Sequence, residues 1–243
     1  MIKIYGGTDK GKIRAINQDA YTFKIIDDTT AYAVLCDGMG GESGGHIASS
    51  KAVEIISQAL ERGMGPQLAE SSVKSLITTA IAAANAVVYD MACNDERLRG
   101  MGTTVIVCVV LGDMLFMAHA GDSRAYHILE NGTIKALTRD HTVVQILLDN
   151  GEITKEEAKS HPKRHYITRA LGVDSEIEVE YTEQNFTKGR LLLCSDGLYN
   201  FAAIEDHVDL INSCSTEQDI YLLIDEANKA GGADNITAVV IAR

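Results

Sequence analysis

The chain has 243 residues, which is enough for one large domain with a substantial buried core. An apolar fraction of 46% and a charged fraction of 23% exclude a disordered chain and indicate an ordinary globular protein. The formal net charge of −12 argues against nucleic acid as a partner, because an acidic surface repels the phosphate backbone. For the same reason, an anionic substrate would need a local positive centre, such as a bound metal ion or a placed arginine.

Cysteine usage and the N-terminus bear on the cellular compartment. The five cysteines are scattered without paired spacing, and residues 1–5 begin no recognisable signal peptide. Both features predict a reducing, cytoplasmic location. No apolar stretch approaches the length expected of a membrane-spanning helix, so we expect no membrane association.

The N-terminal half combines one apolar strand with two helices. Residues 31–36 form an apolar run that ends in Asp37-Gly38, which predicts a buried strand entering a turn. A glycine-rich stretch over residues 38–45 follows. Helical spacing of apolar residues then predicts helices within 47–60 and 76–91, with a break at Gly63-Met64-Gly65-Pro66.

Short strand-like runs dominate the middle of the chain. Glycine-containing turns separate them, and connections this short favour antiparallel neighbours, so we expect a meander. Residues 142–165 are polar and helix-like, and further strands and short helices follow. The predicted strands are 103–111, 114–120, 124–129, 133–137, 176–182, 190–195 and 236–241, and the later helices are 204–212 and 217–230. Helices around antiparallel sheets indicate an α+β layered domain.

Aspartates recur at comparable places in this pattern. Asp37 and Asp196 each follow a buried apolar strand and precede a glycine, and Asp234 lies in a glycine-rich turn before the last strand. If these strand ends converge, several carboxylates, Asp19 among them, share one pocket and require neutralisation. Oxygen ligands with few nearby histidines or cysteines suit Mg²⁺ or Mn²⁺. Asp-Gly is also the commonest turn dipeptide, so spacing alone leaves a plain turn role open.

Arg14 is the second element of a candidate site. Its guanidinium presents a planar fork of donors that matches phosphate oxygens. For an arbitrary arginine, a solvated surface role is the competing interpretation.

Eight short segments carry a family resemblance. They are Arg14–Asp19, Asp37–Gly41, Met101–Thr104, Gly121–Arg124, Leu137–His141, Ile167–Gly172, Ser195–Leu198 and Asp234–Thr237. In this order they resemble the metal-dependent serine/threonine protein phosphatases of type 2C, the PPM family. The first two match the family's R-x-x-N-[EQ]-D and D-G-M/H-G-G patterns. One such motif would be weak, but the full series over nearly the entire chain is highly specific.

The resemblance implies a metal centre with two or three Mn²⁺ or Mg²⁺ ions. Asp37 would bridge two of them, and the backbone carbonyl of Gly38 would bind one. Asp196 and Asp234 would complete the shell of one ion, and Asp19 would hold the other mostly through water. Asp122, together with Asp196, would contribute to a third and weaker site.

The implied reaction is hydrolysis of phosphoserine and phosphothreonine in proteins. Arg14 would clamp the phosphate while a metal-bridging water attacks phosphorus in line, without a phosphoenzyme. Some family members carry a histidine after the Asp-Gly, proposed as the general acid, but Met39 stands there in this chain. The other histidines weighed for this role are expected to be structural, so a metal-bound water is the candidate acid; they are His46, His119, His141 and His161.

The resemblance also implies a fold and partners. The fold is a four-layer α-β-β-α sandwich, in which two antiparallel sheets are flanked by helix pairs. We expect a single catalytic domain over residues 1–243, with a flap insertion around 143–165. The expected partners are phosphoproteins and a cognate serine/threonine kinase, and the expected state is a monomer.

Three other functions compete with this interpretation. A dinucleotide-binding unit would need a third glycine where Ser43 stands, and it conflicts with antiparallel strands, so we reject it. A catalytically silent phosphoprotein-binding regulator of the same fold would be expected to have lost metal ligands, whereas the four aspartates assigned to the two main ions are present. A metal-dependent hydrolase of small phosphoesters stays open.

Overall fold

The structure of the protein is a computed structural model that describes residues 1–65 and 68–243. In these residues the strands form two sheets, and every pairing is antiparallel. The first sheet has the order β1 (Lys3–Asp9), β11 (Ile236–Ala242), β10 (Arg190–Cys194), β7 (Arg124–Ile128) and β8 (Ile134–Ala136). The second has the order β2 (Asp19–Ile25), β3 (Thr30–Met39), β5 (Val105–Leu111), β6 (Met114–Ala120) and β9 (Glu180–Asn185), and β4 (Gly102–Thr103) pairs with β3.

Helices cover the outer face of each sheet. On the second sheet these are α1 (Gly41–Gly63) and α2 (Glu70–Asn94), and on the first sheet α5 (Asp196–Tyr199), α6 (Val208–Ser213) and α7 (Glu217–Lys229). Two short helices, α3 (Val143–Asp149) and α4 (Lys155–Ser160), lie in the connection from β8 to β9, and 3₁₀ turns occupy Glu96–Leu98 and Ile204–His207. The predicted four-layer α-β-β-α sandwich is therefore confirmed.

Strand β3 shows why the central strands read as continuous apolar runs. Alternate residues such as Tyr32 and Val34 pack toward α1 and α2, whereas Ala33 and Leu35 pack between the sheets. Since both faces of the strand are buried, the period of two is not visible as an alternation of polar and apolar residues. The apolar run at 31–36 is thus explained by its central place in the sandwich.

The predicted meander is wrong. Strands β5 and β6 pair in the second sheet, but β7 and β8 pair in the first, so the chain changes sheets between Ala120 and Arg124. Gly121 makes this corner with a φ of 111°, a conformation that a side chain would disfavour. A short connection therefore joins layers here, not neighbours within a sheet.

Smaller differences concern element boundaries. The strand predicted at 103–111 is interrupted at Thr104, and the strand predicted at 176–182 lies at Glu180–Asn185. Strands β1 and β2 were not predicted, because their runs are short and mix polar residues with apolar ones. Of the predicted helix break, Pro66 lies outside the described residues.

Helix α2 corrects one expectation from the sequence. In the part of the chain that the structure describes, α2 is the one helix that is long and apolar enough to cross a membrane, judged by length and composition alone. One face of it, including Ile77 and Ile81, is fully buried against α1 and the second sheet. Its apolar character is accounted for by this packing.

The strand ends that carry the predicted site meet at one end of the sandwich. In the register of β2 and β3, Asp19 is the partner of Asp37, so β2 begins where β3 ends. In the first sheet, Cys194 at the end of β10 pairs with Ala238 near the start of β11. Both sheets therefore place the loops that carry the predicted site residues at the same end of the sandwich.

Candidate active site

A cleft of about 1030 Å³ opens at this end of the sandwich. It is lined by residues from several segments that are far apart in the sequence, so the fold brings the predicted site together. Those predicted for the site that line it are Arg14, Asp37, Gly38, Asp122, Asp196 and Asp234. Asp19 does not line the cleft and is buried next to Asp37.

Backbone hydrogen bonds fix Asp37 at the end of β3. Its N–H donates to the Thr104 hydroxyl at 2.9 Å, and its carbonyl accepts from the Thr104 N–H and the Thr103 hydroxyl, both at 2.8 Å. The carboxylate is thereby directed into the cleft. Removal from water, followed by repulsion from Asp19 and Asp196, raises the pKa of Asp37 well above its usual range.

Gly38 is required by close backbone packing. Its N–H donates to the Gln18 carbonyl at 3.1 Å. A Cβ at this position would lie 2.1 Å from the Gly45 carbonyl oxygen and 2.6 Å from that of Gln18. Any side chain would therefore push apart the 10–18 loop and the start of α1, both of which border the cleft.

Asp19 has one satisfied and one unsatisfied carboxylate oxygen. Its Oδ2 accepts from the Ser195 hydroxyl at 2.7 Å and from the Thr237 hydroxyl at 2.6 Å. Its Oδ1 is buried without a hydrogen-bond partner. Burial raises the pKa of this carboxyl to about 6. A buried, unpartnered carboxylate oxygen beside a cluster of carboxylates is the environment that a cation would complete.

Asp196 and Asp122 both line the cleft. Asp196 is the first residue of α5, directly after β10. Burial, then repulsion from Asp122 and Asp234, raises its pKa well above the usual range. Burial and the nearby Asp140 raise the pKa of Asp122 to about 6. The two carboxylates thus add to the accumulated negative charge.

Arg14 lies at the mouth of the cleft. Its Nη2 donates to Asp234 Oδ2 at 2.8 Å, and its side chain is 51% exposed. The guanidinium is therefore aimed at the carboxylates while it stays accessible to an incoming anion.

Asn235 holds the Arg14 loop in place, and no role was assigned to it from the sequence. Its Nδ2 donates to the carbonyls of Lys10 and Ile16 at 2.9 and 3.0 Å, and its Oδ1 accepts from the Gln18 N–H at 2.8 Å. The side chain is buried, so these bonds form a staple between the start of β11 and the 10–18 loop. Its place next to Asp234 in the last motif is the sequence signal that could have identified it.

The donor set fits divalent cations that prefer oxygen. The cleft and its floor contain five carboxylates, whose mutual repulsion is opposed at the mouth only by Arg14 among the described lining residues. Oxygen ligands without histidine or cysteine suit Mn²⁺ or Mg²⁺. The unpartnered Asp19 oxygen agrees with this chemistry.

One histidine lines the cleft, and it is not among the four weighed from the sequence. Met39, which stands where some family members carry a histidine, lines the cleft, whereas His46, His119, His141 and His161 do not. His165 does line it, together with Ile167, and was overlooked. Its signal was its place at the end of the segment predicted as a flap.

Among the described residues, another group of metal-ligand side chains comprises His119, His141 and Glu180, with ligand atoms within 4.8 Å of one another. The two imidazole rings stack at 4.7 Å with an angle of 7°, so their in-plane lone pairs do not converge on one point. Arg169 Nη1 lies 3.4 Å from His141 Nε2 and brings a positive charge. His141 Nδ1 instead accepts from the Gly121 N–H at 3.2 Å, which secures the corner between β6 and β7.

Comparisons with known proteins agree with this site. The sequence model of the family described as protein phosphatase 2C matches residues 7–226. A serine/threonine phosphatase, Stp, of Listeria welshimeri is 36% identical over 240 residues, which are 97% of this chain and 94% of the relative.

Solved structures give the same result. The serine/threonine phosphatase of S. agalactiae superposes with a TM-score of 0.92 at 30% identity, covering 100% of this chain and 99% of that one. The catalytic domain of the phosphatase PstP, solved with two manganese ions, superposes with a TM-score of 0.85 at 31% identity, covering 99% and 97%. The chain belongs to the protein phosphatase 2C family.

Proposed function

We propose that the chain hydrolyses phosphoserine and phosphothreonine in proteins and that it depends on two or three Mn²⁺ or Mg²⁺ ions. The observation that carries the proposal is the convergence of carboxylates and Arg14 in one cleft, with a buried Asp19 oxygen left unpartnered. Family membership and the phosphatase names of the relatives support it, as do the manganese ions of the PstP domain.

The proposed metal holders are the residues at the converging strand ends. They are Asp19, Asp37, the Gly38 carbonyl, Asp122, Asp196 and Asp234. When bound, the ions would supply positive charge for the phosphoryl oxygens and would lower the pKa of water for attack on phosphorus. Without them, the carboxylates repel a phosphate group.

Arg14 is the proposed phosphate-binding residue. Its ion pair with Asp234 holds the guanidinium over the cleft, and its exposure permits bidentate contact with two phosphate oxygens. Asn235 fixes the loop that presents it, because three buried hydrogen bonds join the two. Met39 on the cleft wall carries no exchangeable proton, so it takes no part in proton transfer.

Finer expectations accompany this function. A protein phosphatase requires a kinase that phosphorylates the same substrates, so a cognate serine/threonine kinase is the proposed partner. We also propose a monomer in the cytoplasm. Free cysteines, four of them buried, support a reducing compartment.

The test is release of phosphate from a phosphothreonine peptide and from a small aryl phosphate, each with Mn²⁺ and with chelator. We expect turnover of the peptide with Mn²⁺ and none with chelator. Mn²⁺ should also raise the melting temperature, which reports binding separately from activity. Hydrolysis of the aryl phosphate but of no phosphopeptide would favour a small-phosphoester hydrolase. A metal-stabilised protein that releases phosphate from neither would leave a silent binding module.

A further inference from the structure

A basic segment borders the cleft of this acidic protein. Residues 158–172 contain four lysines or arginines and two histidines but no aspartate or glutamate. The segment therefore has a formal charge of +4, whereas the rest of the chain has −16. A local reversal of charge at the rim of a cleft attracts groups of the opposite sign.

Tight turns present the middle of this segment beside the cleft. The Arg164 N–H donates to the His161 carbonyl at 3.0 Å, and the Tyr166 N–H donates to the Lys163 carbonyl at 3.1 Å. The Val143 N–H donates to the Tyr166 carbonyl at 2.9 Å, which anchors the turns to the start of α3. His165, which lines the cleft, follows Lys163 and Arg164 directly.

We call residues 159–165 the tip of this segment. Among the described residues, the basic side chains of the tip have no acidic partner, whereas Arg169, which follows the tip, has one. Arg169 pairs with Glu178 at 3.1 Å. Lys159, Lys163 and Arg164 are exposed, and within residues 1–65 and 68–243 none of them forms an ion pair. The positive charge of the tip is thus available to a ligand.

The position of the tip relative to the cleft indicates what this ligand is. On the proposed function, the phosphoresidue enters the cleft, and the adjoining residues of the substrate pass over the rim. Each residue of an extended peptide spans about 3.3–3.6 Å. Side chains about two to four positions away from the phosphoresidue therefore extend out of the cleft to its rim, where the tip lies. Acidic side chains there would meet the unpaired cations of the tip.

We propose that the tip, residues 159–165, is a subsite for aspartate or glutamate side chains that flank the phosphoresidue of a protein substrate. The subsite rests on the proposed function, since it selects among phosphoproteins. The subsite allows a phosphatase with a net negative charge to bind negatively charged substrates, because the local charge of the tip is positive.

The test compares phosphothreonine peptides that differ only in their flanks. One carries glutamates on the N-terminal side, one carries them on the C-terminal side, and matched peptides carry glutamine or lysine. For one of the two flanks, we expect the peptide with glutamates to have a kcat/KM about three- to tenfold higher than the peptide with glutamines, mainly through a lower KM. Two or three exposed ion pairs would give an effect of this size. The preference should shrink at high salt.

Variants assign the preference to the tip. Lys163→Ala combined with Arg164→Ala should bring the glutamate-to-glutamine ratio close to one. Lys155→Ala combined with Lys188→Ala removes the same charge from exposed lysines outside the tip and should keep the wild-type ratio. Equal kcat/KM values for glutamate and glutamine peptides at both flanks, or a preference that survives in the tip variant, would overturn the subsite.

Peptide binding, measured by fluorescence polarisation, separates this proposal from the proposed function. If the protein released no phosphate from any substrate, the function would fail, but the ratio of Kd values would still test the tip. A glutamate preference in Kd that the tip variant loses supports the subsite, and equal Kd values for all flanks contradict it.

Discussion

Replacing Asp19 by asparagine tests the electrostatics of the cleft floor in the metal-free protein. Burial raises the pKa of Asp19 to about 6 from an ordinary value of 3.8. Because this folded-state pKa is raised, folding favours the protonated carboxyl. Its contribution to stability is therefore complete below pH 3.8 and is lost as the pH rises through 6.

The magnitude follows from the shift. About two pKa units correspond to about 3 kcal/mol of unfolding free energy lost between the two limits, of which about 1 kcal/mol falls between pH 5 and pH 8. Asparagine keeps an acceptor for the Ser195 and Thr237 hydroxyls but carries no charge. The variant therefore does not lose this unfolding free energy as the pH rises. The metal-free variant should be more stable than wild type at pH 8, and this difference in unfolding free energy should shrink by about 1 kcal/mol at pH 5.

The assay is denaturant unfolding of wild type and Asp19→Asn with chelator at both pH values. Asp206→Asn is the control, since Asp206 is exposed in the 3₁₀ turn Ile204–His207 and does not line the cleft. Mn²⁺ should stabilise wild type more than Asp19→Asn, because the variant lacks the free carboxylate oxygen. A difference in stability that does not change with pH, or an Asp19→Asn variant less stable than wild type at pH 8, would contradict a raised pKa of Asp19.

Two further predictions concern the scaffold of the site, and a third concerns the cysteines. Asn235→Ala should lower the unfolding free energy by about 2–4 kcal/mol and reduce phosphatase activity, because it releases the loop that presents Arg14; unchanged activity would contradict the staple. Gly38→Ala should destabilise the protein by about 1–3 kcal/mol or more and diminish the Mn²⁺-induced rise in melting temperature, because its Cβ would lie 2.1 Å from the Gly45 carbonyl. Gly65→Ala, whose Cβ meets nothing within 4 Å, is its control and should change neither quantity appreciably. Thiol titration should find one reactive cysteine in the native protein, the exposed Cys93, and five after unfolding; several fast thiols in the native protein would contradict the buried environments of the other four.

The elements that the sequence predicts best are those whose burial leaves a clear pattern. Strands β3, β6, β10 and β11 are apolar runs because both of their faces pack against another layer. Strands β1 and β2 escape detection because they are short and include exposed or polar positions. The corner at Gly121 looks like a hairpin turn in the sequence, since a glycine-containing connection reveals its length but not which sheet the next strand joins.

The site divides in a comparable way. Aspartates at strand ends raise the hypothesis of a carboxylate pocket, and the family resemblance supplies the roles that spacing alone leaves open. The structure brings these side chains together at one end of the sandwich. Asn235, Ser195 and Thr237 lie within the last two motifs, but their hydrogen-bond partners in the site are about 40 to 220 residues away in the chain, so a local pattern does not show their roles. His165 likewise gains its place in the cleft from the turns that follow α4.

Phosphate release by Asp37→Asn shows most directly whether the protein is a metal-dependent phosphatase built on converging carboxylates. Wild type, Asp37→Asn and the Asp206→Asn control would be compared on a phosphothreonine peptide in Mn²⁺, with the melting temperature of each protein measured with and without Mn²⁺. Asp37→Asn should stay folded, lose at least about a hundredfold in turnover and lose most of its Mn²⁺ stabilisation, while the control should resemble wild type. Turnover and Mn²⁺ stabilisation that both survive in Asp37→Asn would contradict this prediction.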